Sequence, residues 1–205
     1  QFCTNPGIAV VIDGPDADRF TTAAKTALEQ VAPQTMLTPG IAAAYHQGET
    51  RFSGATGVKP VLAATSEGRK ASPNLYETTG AAFAANHDLA EEVFGPLGLI
   101  IRVGSVDEMR DIAKGFAGQL TATLHMDAGD LEAARSLRPV LERKAGRVLV
   151  NGFPTGVEVE DAQVHGGPYP ASTNFGATSV GTLSIRRFLR PVAYQNMPAE
   201  LLPEV

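Results

Sequence analysis

Apolar positions along this chain switch repeatedly between two periods. Residues 7–12, Gly-Ile-Ala-Val-Val-Ile, form a continuous β-branched run that stops at the turn formers Asp13, Gly14 and Pro15, the pattern of a buried strand. Phe20, Ala24, Ala27, Leu28 and Val31 then recur at helical spacing, which predicts a helix to about Val31, capped by Asp16 or Asp18. Residues 41–52 read as a second helix, and residues 60–65 and 75–79 as short strands around a turn-rich segment, 66–74. Residues 97–103 read as a strand, 106–116 as a helix opened by Ser105 or Asp107, and 120–126 as a strand with β-branched Thr121 and Thr123. A helix over 130–144 carries Leu131, Ala134, Leu137 and Leu141 on one face, and Gly146 is expected to end it before a strand at 147–150.

Strands separated by helices need crossover connections, so the class is α/β, with a mostly parallel sheet flanked by helices. Residues 151–181 abandon both periods for Gly, Pro, Ser and Thr. A loop of that length in a compact domain is commonly functional. Residues 182–194 mix Leu183, Ile185, Phe188 and Leu189 with Arg186, Arg187 and Arg190, and Pro191 then opens a short extended piece, the make-up of an interface arm. No repeat, low-complexity tract or linker divides the chain.

A length of 205 residues suits one full domain, and 43% hydrophobic against 19% charged residues is the balance of a folded protein. Lys and Arg number 17 against 22 Asp and Glu, so the charge of −5 opposes nucleic acid as a partner. The apolar runs are strand-length, far short of the roughly 20 residues of a membrane helix, so no membrane partner is expected. A single cysteine and no leader pattern fit the cytoplasm. A start at Gln1 without Met points to a piece of a longer protein.

Cys3 lies in Gln-Phe-Cys-Thr-Asn-Pro-Gly, where Pro6 and Gly7 turn the chain just before a buried strand and leave the thiol in a strand-edge loop. A nucleophile suits that place; an inert buried thiol is the alternative. Glu91-Glu92-Val93-Phe94-Gly95-Pro96 offers a carboxylate for sugar hydroxyls, or else a solvated helix end with Phe94 anchoring the turn in the core. His46, His87, His125 and His165 show no metal-ligand spacing, so no metal is expected, and His165, in the Gly/Pro loop, is placed to line a pocket. Neither GxGxxG nor GxxxxGK[ST] occurs, so the main site for any nucleotide lies elsewhere, and there is no GxSxG elbow.

In order, Gln1-Phe2-Cys3-Thr4-Asn5-Pro6-Gly7, Glu91-Glu92-Val93-Phe94-Gly95-Pro96 and Val148-Leu149-Val150-Asn151-Gly152 resemble the aldehyde dehydrogenase superfamily, over nearly the whole chain. His165-Gly166-Gly167-Pro168-Tyr169-Pro170-Ala171-Ser172-Thr173 and Arg190-Pro191-Val192-Ala193-Tyr194-Gln195-Asn196-Met197-Pro198 resemble a narrower branch, the α-ketoglutaric semialdehyde dehydrogenases. Near relatives of that branch include NADP-dependent fatty aldehyde dehydrogenases. Here Pro168 intrudes into the common Gly-Gly-Tyr-Lys-x-Ser-Gly pattern and no lysine follows.

The resemblance implies an aldehyde dehydrogenase catalytic domain over residues 1–190, an oligomerisation segment over 191–205, and a Rossmann-type cofactor domain that this chain does not include. It makes Cys3 the nucleophile, with its backbone N–H as half of the oxyanion hole. NAD or NADP is implied as cofactor, bound mainly by the absent domain, with Glu92 on the nicotinamide ribose and Phe94 against the nicotinamide ring. Phe2, Thr4, Phe153 and Pro154, together with the pocket candidate His165, complete the predicted aldehyde site. The family's hydrolytic glutamate and oxyanion asparagine precede the nucleophile, so this chain by itself is expected to be inactive. A homodimer or homotetramer is implied, with residues 191–197 as the joining strand.

The implied reaction is NAD(P)-dependent oxidation of α-ketoglutaric semialdehyde to 2-oxoglutarate through a thiohemiacetal and a thioester on Cys3. A medium- or long-chain aldehyde is the alternative substrate, distinguished by an apolar rather than a polar distal pocket. Arg51, Arg69 and Arg102 are the candidate partners for a substrate carboxylate. Two readings lie outside the superfamily. One is a thiol amidohydrolase with an N-terminal cysteine, against which Gln1-Phe2 speaks; the other is a non-catalytic assembly domain with a buried cysteine.

Overall fold

The computed structural model describes residues 2–158 and 160–204. The elements run β1 (Ile8–Ile12), α1 (Pro15–Glu29), β2 (Gln34–Thr35), α2 (Pro39–Ser53), β3 (Val58–Leu62), β4 (Lys70–Ala71), β5 (Asn74–Thr79) and α3 (Gly80–Ala85). They continue with β6 (Leu97–Val103), α4 (Val106–Gly115), β7 (Gln119–Leu124), α5 (Leu131–Lys144) and β8 (Ala145–Val150). The main sheet has the order β1-β6-β5-β3, in which β6 is parallel to both neighbours and β3 is an antiparallel edge. β7 and β8 form a separate parallel pair, and β2 and β4 a two-residue antiparallel one. The mostly parallel α/β arrangement is the one expected from the alternating periods.

β6 is central, and its sequence shows why. Leu97, Leu99, Ile100, Ile101 and Val103 are all buried, the near-continuous apolar run of a parallel strand covered on both faces. Tyr45 and Phe52 from α2, Tyr76 from β5 and Phe83 from α3 join Met36 and Leu89 in the same core.

Three local expectations need correction. Asp16 and Asp18 do not cap α1: the N-cap is Gly14, Pro15 occupies the first turn, and both acids sit in that turn, where the exposed N–H ends favour negative charge. Gly146 does not end α5, which passes through extended Ala145 directly into β8. Gly146 is instead a strand residue without room for a side chain, because a Cβ there would overlap the carbonyl of Gly166. Gly167 is likewise pressed against the carbonyl of Gln119, so the loop after residue 164 is clamped onto the β7–β8 pair. Finally, α5 buries Leu137 and Val140, while Leu131, its first residue, stays 47% exposed. At the head of α4 it is Ser105, not Asp107, that caps, its hydroxyl accepting from the Glu108 N–H at 3.2 Å.

Among the described residues, 151–181 hold only a short 3-10 turn, Phe175–Ala177, and Thr182–Phe188 is also 3-10 rather than a regular helix. Among the described residues no helix is long and apolar enough to cross a membrane.

Candidate active site

Parallel pairing of β1 with β6 puts the loops preceding these strands on one edge of the sheet. The register sets Ile8 beside Leu99, and the Leu99 N–H donates to Gly7 O at 2.9 Å. One loop carries Cys3, the other Glu92 and Phe94. The first is closed by the Asn5 N–H donating to Phe2 O at 3.0 Å, which leaves Cys3 exposed at its tip. An exposed thiol removes the reading of Cys3 as a buried, inert residue.

Two side chains next to Cys3 reach the other motif segments. Thr4, 5% exposed, donates its hydroxyl to Pro154 O at 3.3 Å, and Asn5 Nδ2 lies 3.4 Å from Gly95 O. Segments 150 and 90 residues away along the chain thereby meet around one thiol.

The 91–96 turn is held at every second residue. Arg51 on α2 donates to the Glu91 carboxylate at 2.8 Å and to Glu91 O at 3.3 Å. Val93 packs against α2 at Gly48, where a Cβ would overlap it, and Gly95 lies flat on the Tyr45 ring. Pro96 O accepts from the Asn74 N–H at 2.8 Å. These contacts engage residues 91, 93 and 95, and none of them involves the side chains of Glu92 or Phe94. Glu92 is exposed and makes no ion pair or hydrogen bond among the described residues, and Phe94 is 37% exposed. Val93, not Phe94, anchors this turn.

Beyond β8, Asn151 pairs with both backbone groups of Met126, accepting at 2.8 Å and donating at 2.8 Å. Arg147 on β8 donates to Thr155 O at 2.7 Å and Gly156 O at 3.3 Å, fixing the loop that contains Pro154. Phe153, 75% exposed, has its ring 5.5 Å from that of His125, and Phe2 is 51% exposed. His125 also borders an open hollow of about 390 Å³ with Asp127, Asp130 and Asn151. His165 lies elsewhere: it lines a hollow of about 470 Å³ built from Pro170–Asn174 and Ala177–Val180, to which the Cys3 loop contributes nothing.

The three arginines considered for a substrate carboxylate are all engaged. Arg51 holds Glu91, and Arg69 donates to Met36 O at 2.7 Å and Leu37 O at 2.8 Å. Arg102 binds Glu77 at 2.7 Å and Asp13 and Asp18 at 2.8 Å each, at the C-terminal ends of β1 and β6, remote from Cys3. Those acids hold its guanidinium firmly in the charged form, and Arg102 in turn lowers the Asp13 carboxyl. Among the described residues no three His, Cys, Asp or Glu side chains gather as a metal group.

No protein-family model matches the chain. Over its whole length it is 53% identical to alpha-ketoglutaric semialdehyde dehydrogenase 2 of Azospirillum brasilense and 44% identical to alpha-ketoglutaric semialdehyde dehydrogenase of Acinetobacter baylyi. Along its entire length the chain is similar to aldehyde dehydrogenases. It spans about two fifths of these relatives, 39% and 40% of their lengths. Solved aldehyde dehydrogenases share its fold. The salicylaldehyde dehydrogenase of Pseudomonas putida G7 superposes with a TM-score of 0.72 at 20% identity, over 95% of this chain and 41% of its own. The Delta-pyrroline-5-carboxylate dehydrogenase of Mycobacterium tuberculosis gives 0.70 at 17% identity, over 96% and 39%.

The sequence pattern did not single out Asn5, Arg147 and His125. Asn5 had a signal, since it stands inside the cysteine motif itself. Arg147 and His125 had none, because their roles depend on loops that only the fold brings to them.

Proposed function

We propose that this chain is the cysteine-bearing catalytic part, residues 1–190, of an NAD(P)-dependent aldehyde dehydrogenase that oxidises α-ketoglutaric semialdehyde to 2-oxoglutarate. The observation that carries the reading is the pair of hydrogen bonds from Thr4 and Asn5, which gathers the Pro154 loop and the Glu92–Phe94 turn around the exposed Cys3. The named activity of the two full-coverage relatives supports the substrate.

In this reading the Cys3 thiolate adds to the aldehyde carbon, and the carbonyl π pair moves onto oxygen, facing the Cys3 backbone N–H. Departure of the carbon-bound hydrogen with its electron pair re-forms the carbonyl as a thioester on Cys3. Water then attacks that carbon, and 2-oxoglutarate leaves as the thiolate is restored. Thr4, Pro154 and the rims of Phe2 and Phe153 wall the approach, and His165, which lines a separate hollow, takes no part in it.

The residues present fit the nicotinamide end of a dinucleotide. Glu92 is an exposed carboxylate without a protein partner, suited to a ribose diol, and the exposed ring of Phe94 offers an aromatic surface beside it. NAD or NADP bound there supplies the acceptor for the electron pair leaving the aldehyde carbon, with most of its remaining contacts made outside this chain. Residues 191–205 would join a second subunit, with Val192 (55%) and Tyr194 (47%) exposed to do so. A single exposed thiol and no disulfide suit the cytoplasm.

A medium-chain aldehyde is the second reading. It is favoured by the apolar rim of Phe2 and Phe153 and by the engagement of Arg51, Arg69 and Arg102 with other groups. The deciding measurement is kcat/KM of the full enzyme for α-ketoglutaric semialdehyde and for hexanal, with each cofactor. A preference of about a hundredfold for the semialdehyde, roughly 2.7 kcal/mol in transition-state binding, supports the first reading. A preference for hexanal overturns it in favour of the second, and oxidation that survives Cys3→Ser overturns both.

A further inference from the structure

Tyr45 stands out in the core because its buried hydroxyl belongs to a network of polar side chains. It is 1% exposed, yet its hydroxyl is fully used: it donates to Ser72 O at 2.7 Å and accepts from Asn74 Nδ2 at 3.1 Å, with Pro96 O a further 3.4 Å neighbour. Asn74 is itself buried and anchored. It donates to the Glu49 carboxylate at 2.6 Å and accepts from the Ala64 N–H at 3.0 Å, while the other Glu49 oxygen meets His46 Nδ1 at 2.7 Å. A buried polar network is stabilising only when every member is satisfied, and a Phe in place of Tyr45 would have cost less to bury.

What this network supports is the 95–96 segment. Gly95 rests so closely on the Tyr45 ring that no side chain fits between them, and Pro96 O is held by the Asn74 N–H at 2.8 Å. Asn5 Nδ2 also approaches Gly95, at 3.4 Å from its carbonyl oxygen. Gly95 thus meets both a rigid core ring and the loop that carries Cys3, one residue after Phe94 and three after Glu92.

We propose that Tyr45 and Asn5 are positioning residues that clamp Gly95, so that Glu92 and Phe94 present one fixed geometry to the cofactor relative to Cys3. The clamp rests on the cofactor role given to Glu92 and Phe94 in the preceding reading. Neither Tyr45 nor Asn5 touches reacting atoms. Tyr45 fixes the turn from the core, and Asn5 links it to the loop of the thiol.

The test uses the full enzyme with Tyr45→Phe, which keeps the ring and deletes only the hydroxyl. Cofactor dissociation constants are measured by fluorescence quenching, alongside the rate of Cys3 alkylation by iodoacetamide, which needs no cofactor. The expected result is a five- to tenfold weaker NAD(P) affinity, with alkylation within twofold of wild type. Affinity within twofold of wild type overturns the clamp, and so does alkylation that changes in step with affinity, since that marks general loosening. Should Tyr45→Phe fail to fold, Asn5→Ala decides from the exposed side: a threefold or greater loss of cofactor affinity supports the clamp, and an unchanged constant overturns it. A wild-type enzyme that binds neither NAD nor NADP, while Cys3 alkylates normally, removes the cofactor role of Glu92 and Phe94 and the clamp with it. Binding by wild type and Tyr45→Phe alike removes the clamp alone.

Discussion

Two adjacent glutamates with different surroundings provide a sharp experiment on the proposed function. Glu91 is tied by Arg51 at 2.8 Å, but the pair is open to solvent, with side chains 64% and 31% exposed. An ion pair of that exposure contributes about 0.2–1 kcal/mol, and in a chain of this size about 1 kcal/mol moves Tm by roughly 2–4 °C. Glu91→Gln should therefore lower Tm by at most about 4 °C and leave cofactor affinity nearly unchanged. Glu92 has no partner among the described residues, so Glu92→Gln should leave Tm within about 1 °C. In the proposed function its cost falls on the cofactor. Hydrogen bonds to a charged group are worth about 1.5–3 kcal/mol, and a neutral amide still accepts weakly, so the lower end applies: about a tenfold rise in KM for NAD(P). Thermal melts and cofactor titrations of both full-length variants read the two effects separately. The reasoning is refuted if Glu91→Gln weakens the cofactor as much as Glu92→Gln does, or if Glu92→Gln melts several degrees early.

Three further outcomes follow from the same structure. Glu49 raises the pKa of His46 above its usual 6.5, so the pair's stabilisation is complete below pH 6.5 and is lost as pH rises through the folded-state value. Melts from pH 5.5 to 8.5 should show wild type losing its advantage over His46→Gln as pH rises, and an advantage that grows with pH would contradict the pairing. Gly146→Ala forces a methyl into the Gly166 carbonyl and should cost about 1–3 kcal/mol or more in urea unfolding, since backbone, unlike a flexible side chain, cannot swing aside. Arg102→Met leaves Glu77, 22% exposed, without its cation and should cost about 2 kcal/mol, less than a fully buried pair because Asp13 and Asp18 remain hydrated. Because Arg102 lies at the end of the sheet away from Cys3, its loss should lower Tm without altering the cysteine alkylation rate.

The parts of the fold legible in the sequence are those decided by local pattern. β6 is a seven-residue strand bounded by Pro96 and Gly104, apolar but for Gly98 and Arg102, and no competing period exists for it. β1 and β5 read similarly, and the helices between them made parallel pairing nearly obligatory. Local pattern misled where close packing overrode it. Glycine after an apolar helix is an ordinary stop signal, yet Gly146 is required by the approach of Gly166, a residue twenty positions later. The antiparallel β3 edge and the separate β7–β8 pair were illegible for a related reason, because partner choice depends on which edges remain free once the centre has formed.

The candidate site divides along the same line. Cys3, Glu92 and Phe94 were legible as motif, but nothing in their local sequence brings them together. Proximity comes first from the parallel β1–β6 register, which sends both motif loops to one edge, and then from Thr4 and Asn5 reaching across 150 and 90 residues. Polar side chains that bridge such separations carry no periodic signature, since either would be equally at home in a solvated turn. The surroundings of the 91–96 turn carry no local signature either. Glu91, Val93 and Gly95 meet α2 and its Tyr45 while Glu92 stays exposed and without a protein partner among the described residues, so it is the packing of α2, not the Glu-Glu sequence, that tells the two glutamates apart.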